Sequence, residues 1–243
     1  MSAPIRKVFW INFDASDARA NHTRTFLAQH QLPEERIPGV HPDQLMSQAD
    51  YHALVHAPDA IAKGNAGPSS FTSDFVHRRA YARIALEAGD DFYLIMEDDV
   101  KLSERFNGTD WLHWVGECLQ QAPPDWGILR LGASYPGGEE DQVGDTPWLH
   151  VGNKVEKSVK THKKVRYNGA HAIVLTPARA RKLLGYIREH ALSWADSWTG
   201  DSMDGKIKSY VLAEAVLVQD QTKYGSVRKD FAKLYKKKPT TRR

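Results

Sequence analysis

The chain has 243 residues, 41% hydrophobic and 26% charged, with a formal net charge of +3. That is an ordinary globular balance, long enough to bury a core without cross-links and too weakly basic to imply a nucleic-acid partner. Its single cysteine, Cys118, excludes an internal disulfide and leads one to expect a reducing, cytoplasmic setting.

The opening "MSAPIRKVFWINF" has no long apolar segment and reads as a first strand rather than a signal peptide. No stretch approaches the ~18 consecutive apolar residues of a membrane span. "KVFWINFD" is a short apolar strand ending in a polar loop. "SDARANHTRTFLAQHQ" reads as a helix that Ser16 can cap, with Phe26 and Leu27 on its apolar face; Pro33 ends it. "RIPGV" is a second strand. "HPDQLMSQADYHALVHA" predicts a helix with Leu45, Tyr51 and Leu54 inward, followed by the loop "KGNAGPSS".

"SSFTSDFVHRRAYARIALEAG" predicts a strong helix, with Phe75, Ala82 and Leu86 on one face and Gly89 as its stop. "FYLIM" is a buried strand, and "DWLHWVGECLQQA" a helix that includes Cys118, read as a packed thiol. "GILRLG" is a further strand, "ASYPGGEEDQVGDTPW" a long loop, and "WLHVG" and "AHAIVLT" two more strands. "PARARKLLGYIREH" starts a helix with Pro177 in its first turn, and "AVLVQD" is a late strand. Strands alternating with helices predict an α/β sandwich with a mainly parallel central sheet, in which ligands bind at the carboxyl ends of strands.

Three acids, Glu97, Asp98 and Asp99, stand at one such end, directly after "FYLIM". Alternation along an extended chain would put Glu97 and Asp99 on one side and Asp98 on the other. Like charges held together need a cation or a shared proton. Mg²⁺ or Mn²⁺ with one or two carboxylates, phosphate oxygens and water would satisfy them. A solvated turn with an acidic helix start is the plainer alternative.

Five segments in order give the chain a resemblance to glycosyltransferase family 25, which includes lipopolysaccharide and collagen galactosyltransferases. "VFWINFDASDAR" is similar to the family's opening "INLDRRxDR", and "PEERIPGVHPDQL" to "ERIPAVDG". "VHRRAYARIALEAGDDFYLIMEDDVKL" resembles "SHLRAWERIVESGxxxALILEDDV". "WGILRLG" fits the next strand, and "NGAHAIVLTPARARKLL" resembles "YGAHAYVLSPRGARKLL". The resemblance covers the chain to about residue 220, and implies one GT-A-like domain over residues 1–220 with a basic tail over 221–243.

It also implies a nucleotide-sugar donor, UDP-galactose or UDP-glucose by analogy, an inverting transfer to a hydroxyl of a glycan or protein, and a divalent cation, Mn²⁺ or Mg²⁺. Residue by residue, Asn12, Asp14 and Arg19 fall in the first motif, near the nucleotide. His77 and Arg79 fall in the "SH.RAW" motif. Glu97 and Asp99 become the metal ligands and Asp98 a donor contact. Gly169, Ala170 and His171 match "GAH", with His171 beside donor phosphate or metal. Asp204, in "SMDGKIKSY" ahead of a possible helix, stands in for the acid of "PVD" and is the expected catalytic base, with Asp201 second. Arg19 or Arg79 could fork onto diphosphate, or be surface arginines. His77 and His171 have packed core histidines as their alternative.

Val76 stands where the family has Ser, and "FTSD" differs from "GCxL". A carbohydrate- or nucleotide-binding module without turnover is the alternative function, and a metal-dependent phosphohydrolase a third. Trp194 and Trp198 could stack on an acceptor sugar or pack in the core. The end "RKDFAKLYKKKPTTRR" holds eight Lys and Arg against one Asp, and could bring the protein to an anionic membrane surface or remain a solvated tail.

Overall fold

The computed structural model describes residues 4–12, 17–40, 68–132, 142–151, 170–189 and 206–220. The helix expected over 41–57, Asp14, Gly169, Trp194, Trp198, Asp201, Asp204 and the basic tail lie outside these residues. Among the described residues no helix is long and apolar enough to cross a membrane.

Strands β1 (Lys7–Asn12), β2 (Glu34–Pro38), β3 (Tyr93–Glu97), β5 (Trp126–Arg130), β6 (Trp148–His150), β7 (Ala172–Leu175) and β8 (Lys208–Leu212) form one seven-stranded sheet in the order β2-β1-β3-β7-β5-β8-β6. Pairing of β1 with β2, β1 with β3 and β5 with β8 is parallel; β7 runs against β3 and β5, and β6 against β8. Five strands therefore share one direction, giving the expected α/β architecture with a mainly parallel sheet. The central strands are apolar on both faces: Phe9, Leu94, Ile95, Met96, Ile128, Leu129, Ile173 and Val174 are fully buried. That is what a sheet covered on both sides requires.

Helices α1 (Asp17–Gln29), α2 (Pro68–Leu86), α3 (Trp111–Gln120) and α4 (Pro177–Glu189) accompany the sheet. In α1 the expected face is buried through Phe26 and Leu27. The face expected for α2 is corrected: Leu86 is 80% exposed, and Val76, Ala80, Tyr81 and Ile84 are the buried residues. Positions 76, 80 and 84 repeat every four residues, and this stripe carries the β-branched and aromatic bulk that fills space against the sheet. The chain leaves α2 through Gly89 at φ +79°, a left-handed conformation that glycine adopts without steric cost. Cys118 is a buried free thiol whose pKa burial pushes up to about 11, which leaves it inert.

Two strands escape the sequence pattern. The residues after Asp204 were expected to lead into a helix, yet β8 runs beside β5 with Tyr210, Val211 and Leu212 buried. Strand β4 (Val100–Leu102) follows the acids and pairs antiparallel with β9 (Leu217–Gln219) in a second, two-stranded sheet. This small sheet meets the end of β5, where Val216 and Leu217 both donate backbone hydrogen bonds to the Leu131 carbonyl. A Cβ at Gly132 would lie 1.9 Å from the Leu217 carbonyl oxygen, so only glycine permits that approach.

Candidate functional site

The carboxyl ends of β1 and β3 lie side by side, with Ile11 paired to Glu97. The strand ends at Glu97, and Asp98 and Asp99 form a turn before β4. Alternation stops there, so the expected separation of Asp98 from Asp99 does not hold. Asp98 and Asp99 both reach the same guanidinium: Arg19 Nη1 is 2.9 Å from Asp98 Oδ1 and 3.5 Å from Asp99 Oδ2.

Asp98 is held by protein at both carboxylate oxygens. Its Oδ1 accepts from Arg19 and its Oδ2 from Asn12 Nδ2 at 2.7 Å, while Thr23 Oγ1 donates to its backbone carbonyl at 3.3 Å. Asn12 is fixed from behind by Arg36, whose Nε donates to Asn12 Oδ1 at 3.0 Å. Arg36, Asn12, Asp98 and Arg19 thus form a hydrogen-bonded chain across β2, β1, the turn and α1. The ion pair is buried on both sides, with side-chain exposures of 8% and 7%. Within the described residues, Arg19, Asn12 and Asp98 hold the turn in place by binding one another. Arg36 was missed by sequence reasoning; its place in "ERIP", in the middle of an edge strand, was the available signal.

Asp99 is different. It is buried, and its Oδ1 has no hydrogen-bond partner among the described residues. Burial pushes its carboxyl above the ordinary carboxylate value; Arg19 opposes that rise, and the neighbouring Asp98 adds to it. Glu97 faces α2: its Oε1 is 3.8 Å from His77 Nε2, and its Oε2 accepts from Gln219 Nε2 at 3.0 Å. The Gln219 amide also lies close enough to Asp99 to favour its carboxylate form. The two acids expected to hold a cation therefore converge on one glutamine of β9. Sequence reasoning missed Gln219, because "AVLVQD" shows only a strand ending in polar residues.

Both histidines are core residues at the rim of the site. His77 is buried, with Nδ1 2.9 Å from the Ser73 carbonyl and Nε2 3.1 Å from the Ala170 carbonyl. His171 directs Nε2 at the Leu217 carbonyl, 3.2 Å away, and its own carbonyl accepts from Glu97 N. They tie α2, β3, β7 and β9 together behind the acids. Arg79 is exposed and donates to the Pro38 carbonyl at 3.1 Å.

Among the described residues no group of three or more His, Cys, Asp and Glu side chains is placed to hold a metal ion. Two carboxylates, one with a buried oxygen that lacks a donor among the described residues, still fit a magnesium-type site completed by phosphate and water. A cavity of about 420 Å³ opens at the opposite ends of the central strands, lined by Asp90, Trp126, Thr176, Ala178, Arg179 and Lys182. Arg179 there packs 4.9 Å over Trp126 and donates to the Pro124 carbonyl, far from the acids in the fold.

No protein-family model and no curated protein matches the chain. Among solved structures it is similar to a glycosyltransferase involved in the glycosylation of the major capsid of PBCV-1, with a TM-score of 0.44 and 7% identity over 95% of this chain and 98% of that one. It is also similar to the galactosyltransferase LgtC, solved in complex with donor and acceptor sugar analogs, with a TM-score of 0.35 and 12% identity over 85% of this chain and 72% of that one.

Proposed function

We propose that the protein is a GT-A-like glycosyltransferase of the family 25 type. It moves a hexose, galactose or glucose, from a UDP-sugar to a hydroxyl of a glycan or protein acceptor with inversion. Glu97 and Asp99 are the residues that would hold Mn²⁺ or Mg²⁺. The observation that carries this reading is the Asp99 carboxylate at a strand's carboxyl end, buried and with an oxygen that no described residue satisfies. An unsatisfied buried acceptor costs ~1–3 kcal/mol, more when charged, and a bound cation would remove that cost. When bound, the cation supplies neutralisation of charge on the departing diphosphate.

The chain's own residues divide the remaining work. Arg19 and Asn12 fix Asp98, and through it the turn that presents Asp99. His77 and Gln219 flank the two oxygens of Glu97. Asp204 takes the proton from the acceptor hydroxyl, with Asp201 as the second candidate.

The test is incubation with a panel of nucleotide-sugars, with Mn²⁺ or with EDTA, followed by detection of released nucleotide. Mn²⁺-dependent UDP release, stimulated by a hydroxyl acceptor, is the expected outcome. Release of monophosphate would favour a hydrolase. Donor binding without any turnover would favour a binding module.

A further inference from the structure

Resting on the metal-site reading above, we propose that Gln219 is the positioning residue of that site, its neutral amide holding Glu97 in place beside Asp99 without cancelling the charge a divalent cation needs. Gln219 Nε2 donates to Glu97 Oε2 at 3.0 Å. The next residue grips the other end of the triplet, since Asp220 N donates to the Asp99 carbonyl at 2.7 Å. One strand end therefore holds both acids, by a side chain at Glu97 and by backbone at Asp99.

The strand that does this is itself pinned. Val100 pairs with Gln219 across β4 and β9. Val216 and Leu217 donate to Leu131, His171 holds the Leu217 carbonyl, and Lys101 lies 3.4 Å from Asp220. Gln219 is half-buried at the end of this frame, so its amide has a defined place.

The residue type matters. A lysine or arginine here would neutralise Glu97 and displace a cation. A carboxylate would add repulsion to a strand end and turn that already hold three acids. An amide donates a hydrogen bond and adds no charge. Partners that orient a metal-binding side chain in this way change metal affinity without touching the metal.

The experiment compares the whole wild-type chain with Gln219→Leu and Gln219→Lys. UDP affinity is measured calorimetrically in EDTA and in Mn²⁺, and binding of Mn²⁺ alone by its solution EPR signal. Gln219→Leu is expected to weaken Mn²⁺ binding roughly 10–100-fold, with UDP affinity in EDTA within about two-fold of wild type. Gln219→Lys can still donate to Glu97, yet should bind Mn²⁺ at least as poorly as the leucine variant. Wild-type Mn²⁺ binding by either variant overturns the proposal, as does an equal loss of UDP affinity with and without metal, the mark of a merely structural role. If Gln219→Leu does not fold, Gln219→Lys alone decides. Wild-type protein that binds UDP equally well in EDTA and Mn²⁺ overturns the metal reading itself, and this inference with it.

Discussion

Replacing Arg19 with methionine separates the buried frame of the site from its chemistry. Methionine keeps much of the arginine stem's volume and removes the charge. The lost contacts are the 2.9 Å bond to Asp98 and the 3.5 Å approach to Asp99. Asp98 is only 5% exposed, so water does not replace the guanidinium, and among the described residues Asn12 alone remains to donate to its carboxylate. Breaking a buried pair by removing one partner costs ~3–5 kcal/mol because a charge is left uncompensated. For a chain of this size each kcal/mol moves the midpoint by about 2–4 °C, so a fall of roughly 6–20 °C is expected. Urea denaturation of Arg19→Met, Asp98→Asn and the double variant closes the cycle. The double variant should recover part of the loss, with a coupling of ~0.5–3 kcal/mol, because the neutral amide no longer needs the cation. A loss below ~1 kcal/mol, the scale of an exposed pair, would refute the claim that this ion pair fixes the turn.

Three further outcomes follow from the site and its frame. Asp99→Asn should leave stability in EDTA unchanged or raised: burial lifts the native pKa above the unfolded one, so wild-type stability falls as pH rises from the ordinary carboxylate value through the raised native value, and the variant should lose that slope. Ligand at 100 times its Kd stabilises by ~2.7 kcal/mol, and the variant should lose the Mn²⁺-dependent part of UDP's effect; an unchanged ligand shift in thermal melts argues against a metal role. Gly132→Ala should destabilise by at least ~1–3 kcal/mol, since its Cβ must push away the Leu217 carbonyl 1.9 Å distant, and a wild-type melting temperature would contradict that close approach. Asp204→Asn should cut turnover by roughly two to four orders of magnitude with donor affinity within a few-fold; loss of UDP-sugar binding, or a larger effect from Asp201→Asn, would reassign the base.

The sequence alone settled the features that local chemistry dictates. Apolar runs as short as "FYLIM" and "GILRLG" read as buried strands by their length and polar flanks, and their alternation with helical segments made the α/β class legible. It also placed three acids at a strand's carboxyl end, because that requires only the order of residues along one chain segment. It set Asp98 apart from Glu97 and Asp99 by alternation, but it could not name the partner of any of the three. Which carboxylate is consumed by the fold and which is left open depends on Arg19, seventy-nine residues from Asp98, and on Gln219, one hundred and twenty-two from Glu97. Helical periodicity located α2 but not its buried face, since the choice between the Leu86 stripe and the Val76, Ala80 and Ile84 stripe is made by the sheet it packs on. Strand β8 was hidden for the same reason: "KSYVL" has no strong pattern of its own and becomes a strand by pairing with β5 and β6. Long-range pairing has no local signature, so the identity of each acid's partner was decided only when the chain closed on itself.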